Sequence, residues 1–213
     1  MEVRRLFPRD REEGDYLESV AIFAARRCRT AKEYDDLWTE VRGYSPTKRD
    51  RFLSQVVFED WAADVLEMQP LIFDLEGIPV WLIIEMLRHR LLWGDFSMEQ
   101  LSQRAIDPAR LKITASTPEL QSLVEEHIQH VMTLVKQNNI PFEDYRGMFP
   151  QAVEVNLVIG SNLRAFHHFF FMRSSVQKGG KGGAHPLFMD VADEMLEQAQ
   201  EVYPLTMAKI LEA

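Results

Sequence analysis

One cysteine, Cys28, stands in 213 residues, so no disulfide can form within the chain. That fits a reducing compartment. Positive charge is scarce: 24 Lys and Arg against 33 Asp and Glu give a net charge of -9, which argues against a general nucleic-acid surface. Any anion must then be caught by a local basic cluster. Long apolar runs are missing too. The longest, Ile78 to Leu87, is interrupted by Pro79 and Glu85 and is too short to cross a bilayer. The opening MEVRRLFPRDREEGDY has no apolar core of signal-peptide length. There is no internal repeat and no interdomain linker. These absences predict a soluble, cytoplasmic protein forming a single domain over residues 1–213, long enough to bury a sizeable core.

Helical periodicity dominates what is present. Asp15 to Arg27 is apolar at Leu17, Val20, Ala21, Phe23 and Ala24, and Ala31 to Val41 and Lys48 to Val57 read as two further short helices. PLIFDL reads as a strand closed by a turn at Glu76-Gly77. Pro79 suits the first turn of the next helix and Gly94 its end. Thr117-Pro118 opens a long helix striped by Leu120, Val124, Ile128, Val131 and Val135, and Asn138-Asn139-Ile140-Pro141 ends it. Ser161 to Ser174 is an unusually aromatic helix, His185 to Val202 an amphipathic one, and Pro204 starts a short last one. The predicted class is α+β, α-rich with a few strands.

The basic cluster that the net charge demands is Arg88-His89-Arg90, directly after the mostly apolar VWLIIEML. On a helix these three would span roughly 200° and could not all serve one small contact. They suit a large polyanionic ligand, or a C-terminal basic turn favoured by the helix dipole with Glu85 pairing to His89. Downstream, Ser97, Gln100, Ser102, Gln103 and Arg104 crowd hydroxyls, amides and a guanidinium into a short segment, good groups for reading a phosphate and a nucleobase.

RHR followed by a serine-rich segment ending in arginine resembles the signature of flavin-dependent thymidylate synthases. Here LLWGDFSMEQL separates RHR from Ser102-Gln103-Arg104, an insertion of about four residues relative to that signature. VLEMQPLIFDLEGIP is similar to the family's Glu-His stretch, with Glu67 on the glutamate and Met68 where histidine is usual. NIPFEDYRGMFP places Arg146 on the family's arginine. NLRAFHHFFFMR resembles the family's NxRSLxNFxxLR helix, with Asn162, Arg164 and Arg173 in register and His168 where asparagine is common.

The resemblance implies reductive C5 methylation of dUMP in a homotetramer whose active sites are shared between subunits. Methylenetetrahydrofolate supplies carbon and NADPH reduces FAD. Arg88, His89, Arg90, Asn162, Arg164 and His168 are implied to line the flavin. Glu85, Ser102, Gln103, Arg104, Arg146 and Arg173 are implied to hold the nucleotide, with Arg173 polarising the pyrimidine. The departures gather around the pyrimidine: Glu85 for glutamine, Gln100 for glutamate, Ala105 for tyrosine, and AHPLF for the AQxEI stretch. A C5 methylase or hydroxymethylase of another nucleotide such as UMP, or an inactive FAD- or nucleotide-binding homologue, stays open on sequence alone.

Other constellations compete weakly. Glu126, His127 and His130 could hold a metal, but no third well-placed ligand is evident and the pattern fits a solvated face, so no metal is expected. KGGKGG lacks the GxxxxGK[ST] spacing. It is either a mobile surface loop or a lid carrying Lys178 and Lys181 toward an anion. Cys28, flanked by arginines in ARRCRT, could be an activated thiolate or inert packing.

Overall fold

The structure, a computed structural model, describes residues 1–59, 63–89, 97–100, 111–175 and 184–212. Strand β1 (Glu2–Phe7) leads into α1 (Arg11–Arg27), α2 (Tyr34–Arg42) and α3 (Pro46–Leu53). A π-helical turn (Ser54–Glu59) and a 3-10 turn (Ala63–Met68) precede β2 (Pro70–Pro79) and α4 (Val80–Met86). Then come β3 (Ser97–Gln100), α5 (Pro118–Asn138), the single turn α6 (Phe142–Tyr145), β4 (Glu154–Asn162), α7 (Leu163–Arg173), α8 (Pro186–Val202) and α9 (Pro204–Glu212). The sheet order is β1-β2-β4-β3. Leu163 N–H donates to Gln69 O at one end of the central pair and Val80 N–H to Val153 O at the other, so β2 and β4 run antiparallel. The expected α-rich fold with a small antiparallel sheet is observed. Among the described residues, no helix is long and apolar enough to cross a membrane.

The chain packs as two compact units. One is built on residues 74–89 and 111–159. In it Val131 and Val135 of α5 face Tyr145, with Met132, Ile140 and Phe149 packed alongside. Thr117 caps α5 by accepting from Leu120 N–H, and Pro118 follows where its missing N–H costs nothing. Asn139 ends the helix in the left-handed conformation at φ 49°, as the Asn-Asn-Ile-Pro run predicts. The predicted apolar stripe is buried only in its lower half; Leu120 stays 46% exposed. Helix α4 starts without a side-chain cap, and its first N–H groups, on Val80 and Trp81, instead donate to Val153 O and Gln151 O.

The other unit is built on residues 3–59, 63–73, 160–175 and 184–212. Asp10 caps α1 by accepting from Glu13 N–H, so this helix begins four residues before its apolar periodicity does. Ile22, Leu37, Val41 and Leu53 form one core cluster beneath α1, α2 and α3. Gly14 is required where α1 crosses the end of α8: a Cβ there would sit 1.8 Å from Val202 O. Phe166, Phe169 and Phe170 of α7 are fully buried, and Phe166 meets Phe73 of β2 edge-on at 5.6 Å.

A buried polar chain ties α1, β2 and α9 together. Gln69 Nε2 donates to Thr206 Oγ1, and Thr206 donates through both N–H and Oγ1 to Glu18 Oε1. Glu18 is fully buried and, among the described residues, its Oε2 has no hydrogen-bond partner. Burial pushes its carboxyl above the ordinary value of 4.5, outweighing the Thr206 bonds and the Arg11 charge. The folded state therefore holds this proton more tightly than the unfolded chain. Its stabilising contribution is complete below pH 4.5 and is lost as pH rises through the raised folded value. Glu18→Gln should leave stability unchanged at pH 4.5 and raise it relative to wild type at pH 8, as urea denaturation at the two pH values would show. A parallel pH dependence in both proteins would refute the assignment.

Candidate active site

The sequence-predicted site residues fall in both units, and each group is taken by itself. In the first, α4 ends at Met86, so Arg88 and His89 follow the helix instead of riding on it. Arg88 N–H bonds Glu85 O and His89 N–H bonds Met86 O, closing i to i+3 turns. This corrects the helical spacing expected for Arg88 and His89. Arg88 is left 70% exposed and pairs with Glu85 at 3.1 Å, while the His89 ring turns inward and is 5% exposed. The cause is local: Leu82, Ile83 and Met86 bury one face of α4, and a tightened last turn swings the next side chain into the same interior. Arg146 opens a 3-10 turn (Arg146–Met148) and is half-buried. Arg90, Ser102, Gln103 and Arg104 lie outside the described residues, as do Gly94 and the KGGKGG loop.

In the second unit, α7 gathers four of the predicted residues. Asn162 precedes the helix. Its backbone is extended and its side-chain carbonyl accepts from Ala165 N–H at 3.0 Å, an N-cap. The helix therefore begins two residues later than predicted. Arg164 donates to Glu67 Oε1 at 2.6 Å across 97 positions of sequence. Both side chains are about half exposed, 53% and 43%. A pair so solvated contributes at most about 1 kcal/mol and can open to accept an anion. His168 is half-buried; burial, with His168 beside it, pushes the neighbouring His167 imidazole down toward its neutral form.

At the far end of α7 the Arg173 guanidinium lies over the Phe188 ring, 4.9 Å from its centroid. Phe188 is itself wedged against Phe169 at 5.7 Å. The next two residues are tied down as well: Ser174 Oγ donates to Asp193 Oδ1 at 2.5 Å, Ser175 N–H donates to the same oxygen at 2.8 Å, and Ser175 Oγ donates to Oδ2. Sequence reasoning missed both Phe188 and Asp193, because no local spacing links α8 to the end of α7.

A cavity of about 240 Å³ opens between the end of α1 and the 3-10 turn, lined by Ala24, Cys28, Arg29, Asp64, Val65 and Met68 among others. Cys28 is exposed, and its thiol donates to Ala24 O at 3.5 Å. Among the described residues no group of three or more His, Cys, Asp or Glu is placed to hold a metal ion.

This α-rich fold, with charged groups at both ends of an aromatic helix, has solved counterparts. The structure of thymidylate synthase ThyX from Helicobacter pylori with FAD and dUMP superposes with a TM-score of 0.72 at 15% identity, covering 100% of both chains. The UMP/dUMP methylase PolB from Streptomyces cacaoi bound with 5-Br dUMP superposes with a TM-score of 0.69 at 17% identity, covering 99% of this chain and 94% of that one. In sequence, the chain is 26% identical over 204 residues to the flavin-dependent thymidylate synthase of Nitratidesulfovibrio vulgaris, covering 87% of this chain and 79% of the relative. It is 24% identical to that of Sulfurisphaera tokodaii, covering 88% and 70%. The family model described as thymidylate synthase complementing protein matches residues 15–205, and the chain belongs to that family, the flavin-dependent thymidylate synthases.

Proposed function

We propose that the protein is an FAD-dependent enzyme that methylates a pyrimidine nucleotide at C5, converting dUMP to dTMP with methylenetetrahydrofolate as carbon donor and NADPH as reductant. The observation that carries the reading is likeness over nearly the whole chain, in sequence and in fold, to proteins named for this reaction. The donor set fits a flavin dinucleotide. Arg88 and Arg164 are solvated guanidiniums paired with partly exposed carboxylates, able to exchange those partners for phosphate oxygens. His89 is a buried ring suited to an apolar or hydrogen-bonded contact. With Arg90, Asn162 and His168 these residues would hold FAD, which, once reduced by NADPH, would supply the hydride needed to bring the one-carbon unit to the methyl level.

The remaining steps belong to the chain's own groups. Arg146 and Arg173, with Ser102, Gln103 and Arg104, grip the nucleotide phosphate and base, and Glu85 bounds the nucleotide on the α4 side. Arg173 polarises a pyrimidine carbonyl by donating from its planar fork, which draws electron density toward the oxygen as charge develops there. Packing against Phe188 keeps that guanidinium weakly hydrated and fixed in direction. No protein nucleophile is invoked, which leaves the exposed Cys28 outside the chemistry. Phe171 and Met172 are 42% and 39% exposed immediately before Arg173, and we assign them to contact with another copy in a homotetramer with shared sites.

A second reading has its own support. The PolB neighbour is named for UMP as well as dUMP. Glu85, an acceptor-only carboxylate where the family carries an amide, alters what the pocket offers a nucleotide. Purified protein supplemented with FAD should be yellow, have the mass of four chains by light scattering, and release tritium from C5-labelled dUMP. Release from labelled UMP at a higher kcat/KM than from dUMP would move the assignment to the second reading. No release from either would end both.

A further inference from the structure

Helix dipoles place partial negative charge at a C-terminus, so a carboxylate there is electrostatically misplaced unless donors surround it. Asp193 sits in that unfavourable place, at the end of α7, and takes three hydrogen bonds from the two residues that follow Arg173. Ser174 is fully buried and its own N–H closes the helix on Phe170 O, so the last turn of α7 and the chain leaving it are held from both sides. Fifteen residues past Arg173, on the same helix α8 that carries Asp193, Phe188 supplies the face on which the Arg173 guanidinium rests. One rigid helix thus fixes the backbone just beyond Arg173 and the direction of its side chain.

We propose that Asp193, acting through Ser174 and Ser175, is a positioning residue for Arg173, and that with Phe188 it sets where this guanidinium meets the pyrimidine nucleotide. This rests on the reading of Arg173 as a nucleotide contact. Neither the Asp193 clamp nor its serines is part of the motif set that suggested the site. A long, flexible side chain at a helix end has many rotamers, and a misplacement of about 1 Å at a reacting centre can cost 100-fold. Freezing the chain on both sides of Arg173 removes that freedom before the nucleotide arrives.

The test is a double-mutant cycle on the full-length, FAD-supplemented protein, with dUMP titrated by calorimetry and UMP run in parallel. Asp193→Ala should weaken dUMP binding about tenfold or more and leave the flavin spectrum and FAD affinity unchanged. Asp193→Asn, which keeps an acceptor for Ser174 and Ser175, should stay within about threefold of wild type. In an Arg173→Ala background, Asp193→Ala should make no further difference, because the path by which it acts is gone. Ser175→Ala removes one donor of the clamp, the Oγ–H to Asp193 Oδ2, from an exposed position and keeps the cycle readable if Asp193→Ala does not fold; about a threefold loss is expected. Equal losses with and without Arg173 would overturn the proposal, as would wild-type affinity in both the Asp193→Ala and Ser175→Ala proteins. If Arg173→Ala alone keeps wild-type affinity for both nucleotides, the failure lies in the underlying reading of Arg173.

Discussion

Arg173→Ala should lower kcat/KM for the pyrimidine nucleotide by about 100- to 1,000-fold, the scale for losing one aimed donor to a developing negative charge. The fold should tolerate the change. Arg173 lies at the last position of α7, half-buried, and its cation–π contact with Phe188 contributes on the order of 1 kcal/mol. FAD binding should survive, because the residues assigned to flavin at the other end of the helix, Asn162 and Arg164, are held by Ala165 N–H and Glu67. Arg173→Lys should recover only a small part of the activity. An ammonium restores the charge but not the planar pair of donors, and it packs less well on the Phe188 ring. Steady-state kinetics with a parallel nucleotide titration separates the contributions: loss of kcat with retained affinity indicates carbonyl polarisation, and loss of both indicates phosphate or base binding. Unchanged affinity and turnover would remove Arg173 from the site.

The parts of this molecule that the sequence announces are those whose signal is local. Thr117-Pro118 and Asn138-Asn139 bracket α5 because capping and the left-handed C-terminal conformation depend on a few adjacent side chains. His185 as cap and Pro186 at the first turn mark α8 for the same reason. Strand β4 was invisible as an element: Val155, Leu157, Ile159 and Ser161 alternate inward, but the run merges without a break into the aromatic helix, and the extended Asn162 that divides them looks like helix in composition. β2 was cut short because Glu76-Gly77 reads as a turn. Gly77 does take φ +70°, yet the strand continues to Pro79, so the glycine bends the strand without ending it. Arg88 and His89 read as helix although the helix stops at Met86, since nothing in these polar residues reveals that the last turn tightens. The pairs that shape the site are the least legible. Arg164 with Glu67 and Ser174 with Asp193 join segments that only the folded topology brings together.

Phe166→Ala should cost about 3–5 kcal/mol, the range for deleting a fully buried aromatic ring from a core that cannot close over the space. Phe166 is 0% exposed and its neighbours are themselves rings: Phe73 edge-on at 5.6 Å, Phe170 stacked at 5.6 Å and Phe169 at 6.4 Å. These large planar groups stand on two different elements, β2 and α7, so neither can shift without breaking its own backbone ladder, and the cavity stays open. For a chain of this length the loss corresponds to a fall of roughly 6–20 °C in melting temperature, measured at fixed protein concentration so that assembly does not mask it. Phe171→Ala is the matched control. It removes the same side chain from the next turn of the same helix at a position 42% exposed, and should cost well under half as much in a single chain. The comparison also bears on function. Phe166 anchors the rod that carries Asn162 and Arg164 at one end and Arg173 at the other, so Phe166→Ala should weaken FAD and nucleotide binding together, whereas Arg173→Ala weakens the nucleotide alone. If Phe166→Ala instead melted within about 2 °C of wild type, the ring cluster would not be what fixes α7 on β2, and the rigidity on which both ends of the site depend would need another source.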